Sequence, residues 1–159
     1  MAVEDTFNGA KNGYLMLQAY TNTVAQAIGM EQALALATQM SETMGAAEGM
    51  MYKEQAGIEE FDTKAAYQGL IASIEGIGIL SEVIEESPKK IIFKVGRCPI
   101  YEAAQELGMD TKAIEANCRA SSIRFMEAMA KQLNPNLSYQ LTKFRSAADD
   151  YCEETVVLS

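Results

Sequence analysis

The residues best suited to chemistry lie in one short stretch, Arg97-Cys98-Pro99-Ile100-Tyr101-Glu102. An apolar run, Ile91-Ile92-Phe93, leads through Gly96 into it, and Pro99 opens a new helical pattern. Proline is favoured at the first helical position because the N–H it lacks would have no partner there. Cys98 is therefore expected at the N-cap, with its thiol near the positive end of the helix dipole and beside Arg97. Both features lower a thiol's pKa and favour the thiolate, which attacks electrophiles and binds metals. On this reading Cys98 is a nucleophile or metal ligand, and Glu102, one helical turn later, is the general acid/base. Arg97 offers a bidentate fork to a substrate carboxylate, and Tyr101 offers a pocket wall. Each has a plainer alternative: a capping thiol, a solvated glutamate at a helix start, a surface ion pair and a core tyrosine.

Two further cysteines bear on this stretch. Cys118 shares a helical face with Ile114, Ser121, Phe125 and Met129, and Cys152 shares a strand face with Val156 and Leu158 by the period of two. Both read most simply as small core residues. Should Cys98, Cys118 and Cys152 converge at one end of a sheet, three thiolates with a carboxylate or water would suit a tetrahedral ion. Widely separated single cysteines are a weak metal signal, so the cofactor expectation is either none or one zinc or iron ion. Gly76-Ile77-Gly78 is a fragment of a dinucleotide fingerprint without the preceding strand or the third glycine.

Composition narrows the chemistry. The chain contains no histidine, which removes Ser-His-Asp triads, Cys-His dyads, HExxH zinc sites and haem held by a proximal histidine. Any general base is a carboxylate, thiolate, lysine or tyrosine. A net charge of −9 argues against a nucleic-acid partner, which calls for a basic stripe. No apolar run approaches the roughly 18 residues of a membrane span, and Met-Ala-Val-Glu-Asp does not open a signal peptide. With three cysteines, an odd number, the expectation is a cytoplasmic protein with reduced thiols. The expected partners are a small molecule and a second copy of the chain, with neither nucleic acid nor membrane.

The elements that must position these residues follow from periodicity. Phe7, Ala10, Tyr14, Leu17, Thr21, Val24 and Ile28 form one helical stripe, Gly29 interrupts it, and Met30, Ala33, Ala37, Met40, Met44, Ala47 and Met51 resume it. The pair reads as an antiparallel helical hairpin, with one bent helix as the alternative. Its methionines are expected in the core or at a dimer seam. Asp62 or Thr63 caps a third helix running to about Ile84. Residues 90–95 read as a strand, Pro99–Leu107 as a short helix, and a helix capped by Asp110 runs to about Leu133. Asn134-Pro135-Asn136 breaks it, residues 137–145 and 152–158 read as strands, and Ala147-Ala148-Asp149-Asp150 is the turn between them. This is an α+β single domain, 1–159, with amino-terminal helices packed against a small antiparallel sheet that ends in a late β-hairpin. Residues 1–86 form its helical part and 88–159 its strand-helix-helix-hairpin part.

Taken together, Arg97-Cys98-Pro99-Ile100-Tyr101-Glu102-Ala103, Leu107-Gly108, Cys118, Asn134-Pro135 and Cys152 resemble the L-2-amino-thiazoline-4-carboxylate hydrolase-like family. That family is distantly similar to the 4-vinyl reductase domain of small-molecule sensors. The resemblance covers about residues 91–158. It implies a hydrolase acting on a C–N or C–S bond of a thiazoline-carboxylate-like substrate around Cys98, or else a non-catalytic small-molecule or metal-binding sensor or carrier domain. Where the family has Gly-Asp before the last cysteine, this chain has Ala148-Asp149, so a different turn is expected there.

Overall fold

The computed structural model describes residues 3–159. Six helices and four strands follow in the order α1 (Val3–Ile28), α2 (Met30–Ala56), α3 (Thr63–Glu75), β1 (Ser81–Ser87), β2 (Lys90–Val95), α4 (Pro99–Glu106), α5 (Thr111–Ala120), α6 (Ser122–Leu133), β3 (Leu137–Lys143) and β4 (Cys152–Leu158). The strands form one antiparallel sheet in the order β1-β2-β4-β3. The expected α+β class and the late β3–β4 hairpin are both present.

One face of the sheet carries the core. Ile91, Phe93 and Val95 of β2, Leu137, Tyr139 and Leu141 of β3, and Cys152 and Val156 of β4 are buried, as the period of two demands. They meet Leu70 and Ile74 of α3 and Met126, Met129, Ala130 and Leu133 of α6. Phe93 anchors this layer with edge-on aromatic contacts to Tyr67 and Tyr139.

α2 lies across α6 at close range. Its buried stripe is Ala33, Ser41, Gly45 and Gly49 rather than the methionines. A Cβ on Gly45 would stand 2.1 Å from the Phe125 carbonyl oxygen, and one on Gly49 would stand 2.7 Å from that of Met129. Small residues therefore set the approach of the two helices, and Met40, Met44 and Met51 are displaced toward the outside. On α1 the buried stripe is likewise shifted, with Gln18 buried while neighbouring Leu17 is exposed.

Two boundaries differ from expectation. The third helix stops at Glu75 rather than near Ile84, and Ser81–Ser87 is strand β1, within the part expected to be helical. The residues of β1 are almost all exposed, so no alternation of burial distinguishes it, and Leu80 and Ile84 happen to continue a helical spacing. The break is made at Gly78, where φ is +80° and a Cβ would meet the Phe7 backbone nitrogen at 2.7 Å. The long helix after Asp110 is divided at Ser121, whose Oγ donates to the Asn117 carbonyl. Asp62 and Asp110 cap as expected, accepting from the N–H groups of Ala65 and Ala113 at 2.8 Å each. The turn at Ala148 closes with no positive φ at any non-glycine position among the described residues, so it needs no glycine there.

Candidate functional site

α1, α2, α4, α5, α6 and the inner face of the sheet enclose a cavity of about 360 Å³. Leu17, Met40 and Met44, which are exposed, place its mouth between α1 and α2. Most of the wall is apolar, including Ile74, Ile79, Ile114, Phe125 and Phe144. Polar groups gather at a few points on it, the usual make-up of a small-molecule site.

The main polar cluster is Glu154, Tyr139 and Arg145. Glu154 of β4 is 8% exposed and accepts a hydrogen bond from the Tyr139 hydroxyl. Burial raises its carboxyl to about 7, against the opposing effects of that hydrogen bond and of Arg145. Burial also raises the Tyr139 hydroxyl well above its ordinary range, and the Glu154 charge adds to that effect. Arg145 follows β3 and is 1% exposed. Its guanidinium donates to the Cys152 sulfur at 3.3 Å and to the carbonyls of Asp150, Val95 and Gly96, and it lies 5.4 Å from the Tyr101 ring centroid. Among the described residues no carboxylate forms a salt bridge with it. A buried cation held by neutral acceptors, near a buried carboxyl whose pKa is raised, makes this cluster a candidate site.

The expected site residues divide between this cavity and the surface. Cys98 is the N-cap of α4, and it lines the cavity together with Tyr101, Cys118 and Cys152. The expectation of a low thiol pKa is corrected. Desolvation by the surrounding protein pushes Cys98 up to about 11, which outweighs Arg145 and the backbone N–H groups of Tyr101 and Ile100. Burial likewise raises Cys118 well above the ordinary range. All three cysteines face one cavity, yet among the described residues no three His, Cys, Asp or Glu side chains stand together as a metal-holding group.

Arg97 and Glu102 point elsewhere. Arg97 donates to both carboxylate oxygens of Glu102, reaches Glu4 of α1 at 3.1 Å, and stacks 4.1 Å over the Phe7 ring. Both residues line a shallow surface hollow with Asp149 and Asp150, so neither touches the cavity. Their observed role is to tie α1 to the start of α4, alongside the Lys11–Glu106 ion pair.

Glu154, Tyr139, Arg145 and Gln18 were missed from the sequence. The period of two that put Cys152 and Val156 inward also puts Glu154 between them, and a carboxylate on an inward strand face is itself a signal. Gln18 and Arg145 left no comparable trace.

Among the described residues no helix is long and apolar enough to cross a membrane. No curated protein sequence matches the chain. The fold is similar to the phenol-responsive sensory domain of the transcription activator PoxR in its phenol-bound crystal structure. That match has a TM-score of 0.64 and 12% identity, and it covers 91% of this chain and 74% of the other. It is also similar to a trafficking protein particle complex subunit 3 from Naegleria fowleri covalently bound to palmitic acid, with a TM-score of 0.57 and 17% identity over 93% of this chain and 95% of that one. At these identities the likeness is one of fold. The family model described as L-2-amino-thiazoline-4-carboxylic acid hydrolase matches residues 10–154. The chain belongs to that family.

Proposed function

We propose that this protein is a small-molecule binding domain whose ligand is a compact, largely apolar ring compound held in the cavity. The observation that carries the reading is the cavity itself, an apolar chamber of about 360 Å³ with Glu154, Tyr139 and Arg145 at one pole. Its volume falls in the range usual for ligand sites. The fold likeness to a phenol-responsive sensory domain supports the same class of ligand. Calorimetric titration with phenol and small heteroaromatics tests it, using wild type and Ser41→Phe, which adds a ring at a buried position on the cavity wall. Binding by wild type and its loss in a folded Ser41→Phe variant are expected. Equal binding by both would contradict the reading.

Hydrolysis is the second reading, favoured by the family and by a buried carboxyl that titrates near 7. The base is then Glu154 rather than Glu102. A carboxylate with that pKa takes the proton from a water adding to the electrophilic ring carbon and returns it to the departing nitrogen or sulfur. Cys98, with its raised pKa, is kept as the neutral thiol that closes the chamber beside Tyr101. Turnover of L-2-amino-thiazoline-4-carboxylate that is lost in Glu154→Gln and retained in Cys98→Ser supports this chemistry. The reverse pattern restores the cysteine mechanism.

A further inference from the structure

Gln18 is 3% exposed and lines the cavity from α1. Its Nε2 donates to the Ile100 carbonyl at 2.9 Å, which fixes the orientation of the amide. The Oε1 atom is buried as well, and among the described residues no protein donor reaches it. A buried acceptor without a donor is costly, whereas one that meets a donor on a ligand discriminates strongly in favour of that ligand.

We infer that Gln18 reads the ligand: the cavity takes a ring compound bearing an O–H or N–H donor, and the Gln18 side-chain carbonyl accepts that hydrogen bond at the α1–α4 wall. The inference rests on the binding function proposed above and assigns it a second polar contact, separate from the Glu154 pole. It also couples the ligand to α1. That helix is held to α4 by the Gln18–Ile100 hydrogen bond, the Arg97–Glu4 and Lys11–Glu106 ion pairs and the buried Phe7 ring. A donor on the ligand adds one more attachment from inside.

Phenol and toluene, which are close in shape and differ in the donor, are the probes. Their affinities are measured by calorimetry for wild type, Gln18→Met, Glu154→Gln and the surface variant Arg97→Ala. The phenol-to-toluene affinity ratio is expected to fall about tenfold in Gln18→Met and to stay within about twofold of wild type in Arg97→Ala. A ratio unchanged in Gln18→Met, or lost only in Glu154→Gln, places the hydroxyl at the carboxyl pole and overturns the inference while leaving the cavity reading intact. Failure of both probes to bind wild type overturns the two together. Hydrogen exchange on wild type gives an answer that does not depend on the variant folding. Phenol is expected to slow exchange in the middle of α1 more than toluene does at equal occupancy, and equal slowing overturns the inference.

Discussion

Replacing Glu154 by glutamine tests the electrostatics of the cavity most sharply. In the folded protein the carboxyl titrates near 7, against 4.5 for a solvated glutamate. Between those pH values the folded state holds a proton that the unfolded chain has released. Stability therefore falls as pH rises through this window and is level above it. At about 1.4 kcal/mol per pH unit, the window corresponds to roughly 3 kcal/mol of stability lost to charging a buried group. Glutamine is neutral throughout and has no such slope. Its own change in hydrogen bonding to Tyr139 is a constant offset, and the repulsion arising from the net charge of −9 acts nearly equally on both proteins. The stability of Glu154→Gln minus that of wild type is thus expected to rise by roughly 3 kcal/mol between about pH 4.5 and about pH 8, or about 6–12 °C in Tm. Urea denaturation of the ligand-free proteins at several pH values measures the difference directly. A difference that stays flat across the window would refute the account of a buried, desolvated carboxyl.

Three other outcomes follow from the same geometry. Gly45→Ala pushes a methyl into the Phe125 carbonyl and should destabilise by about 1–3 kcal/mol, seen as a lower urea midpoint with unchanged slope. The Cys98 thiol should react slowly with a disulfide reagent at neutral pH and accelerate continuously toward its pKa of about 11; a fast plateau at neutral pH would show a thiolate instead. Arg97→Ala removes two surface ion pairs, to Glu4 and Glu102, from an arginine that is half exposed. It should cost less than about 1 kcal/mol and leave phenol affinity within about twofold of wild type.

The sequence made the architecture readable wherever burial imposes a period. Residues 90–95 and 152–158 alternate because one face meets the helices, and Asp62, Asp110 and Pro99 punctuate helices through their own backbone chemistry. Failures came where no period was imposed. β1 is an edge strand exposed on both faces, so Leu80 and Ile84 were free to mimic a helix. The helical stripes on α1 and α2 were read from the large apolar residues, but α2 buries Ser41, Gly45 and Gly49 because it packs on backbone, and α1 buries Gln18 beside a cavity. At the site, the Cys98 N-cap was legible from Pro99. Its thiol pKa was not, because desolvation depends on what folds over the residue from α1 and β4. Arg97 and Glu102, close to Cys98 in sequence, satisfy each other at the surface, while the polar cavity-lining residues that went unread include those at positions 18, 139, 145 and 154.

The most direct test of the ligand cavity uses its methionines. The chain has ten, of which Met40, Met44 and Met126 line the cavity, whereas Met16, Met50 and Met51 are exposed and lie outside it. With methionine methyl groups labelled by carbon-13, phenol titrated into wild type should shift the signals of Met40, Met44 and Met126 along one saturating curve and leave those of Met16, Met50 and Met51 in place. Signals that do not move, or that move only at the exposed methionines, would contradict a ligand-binding cavity.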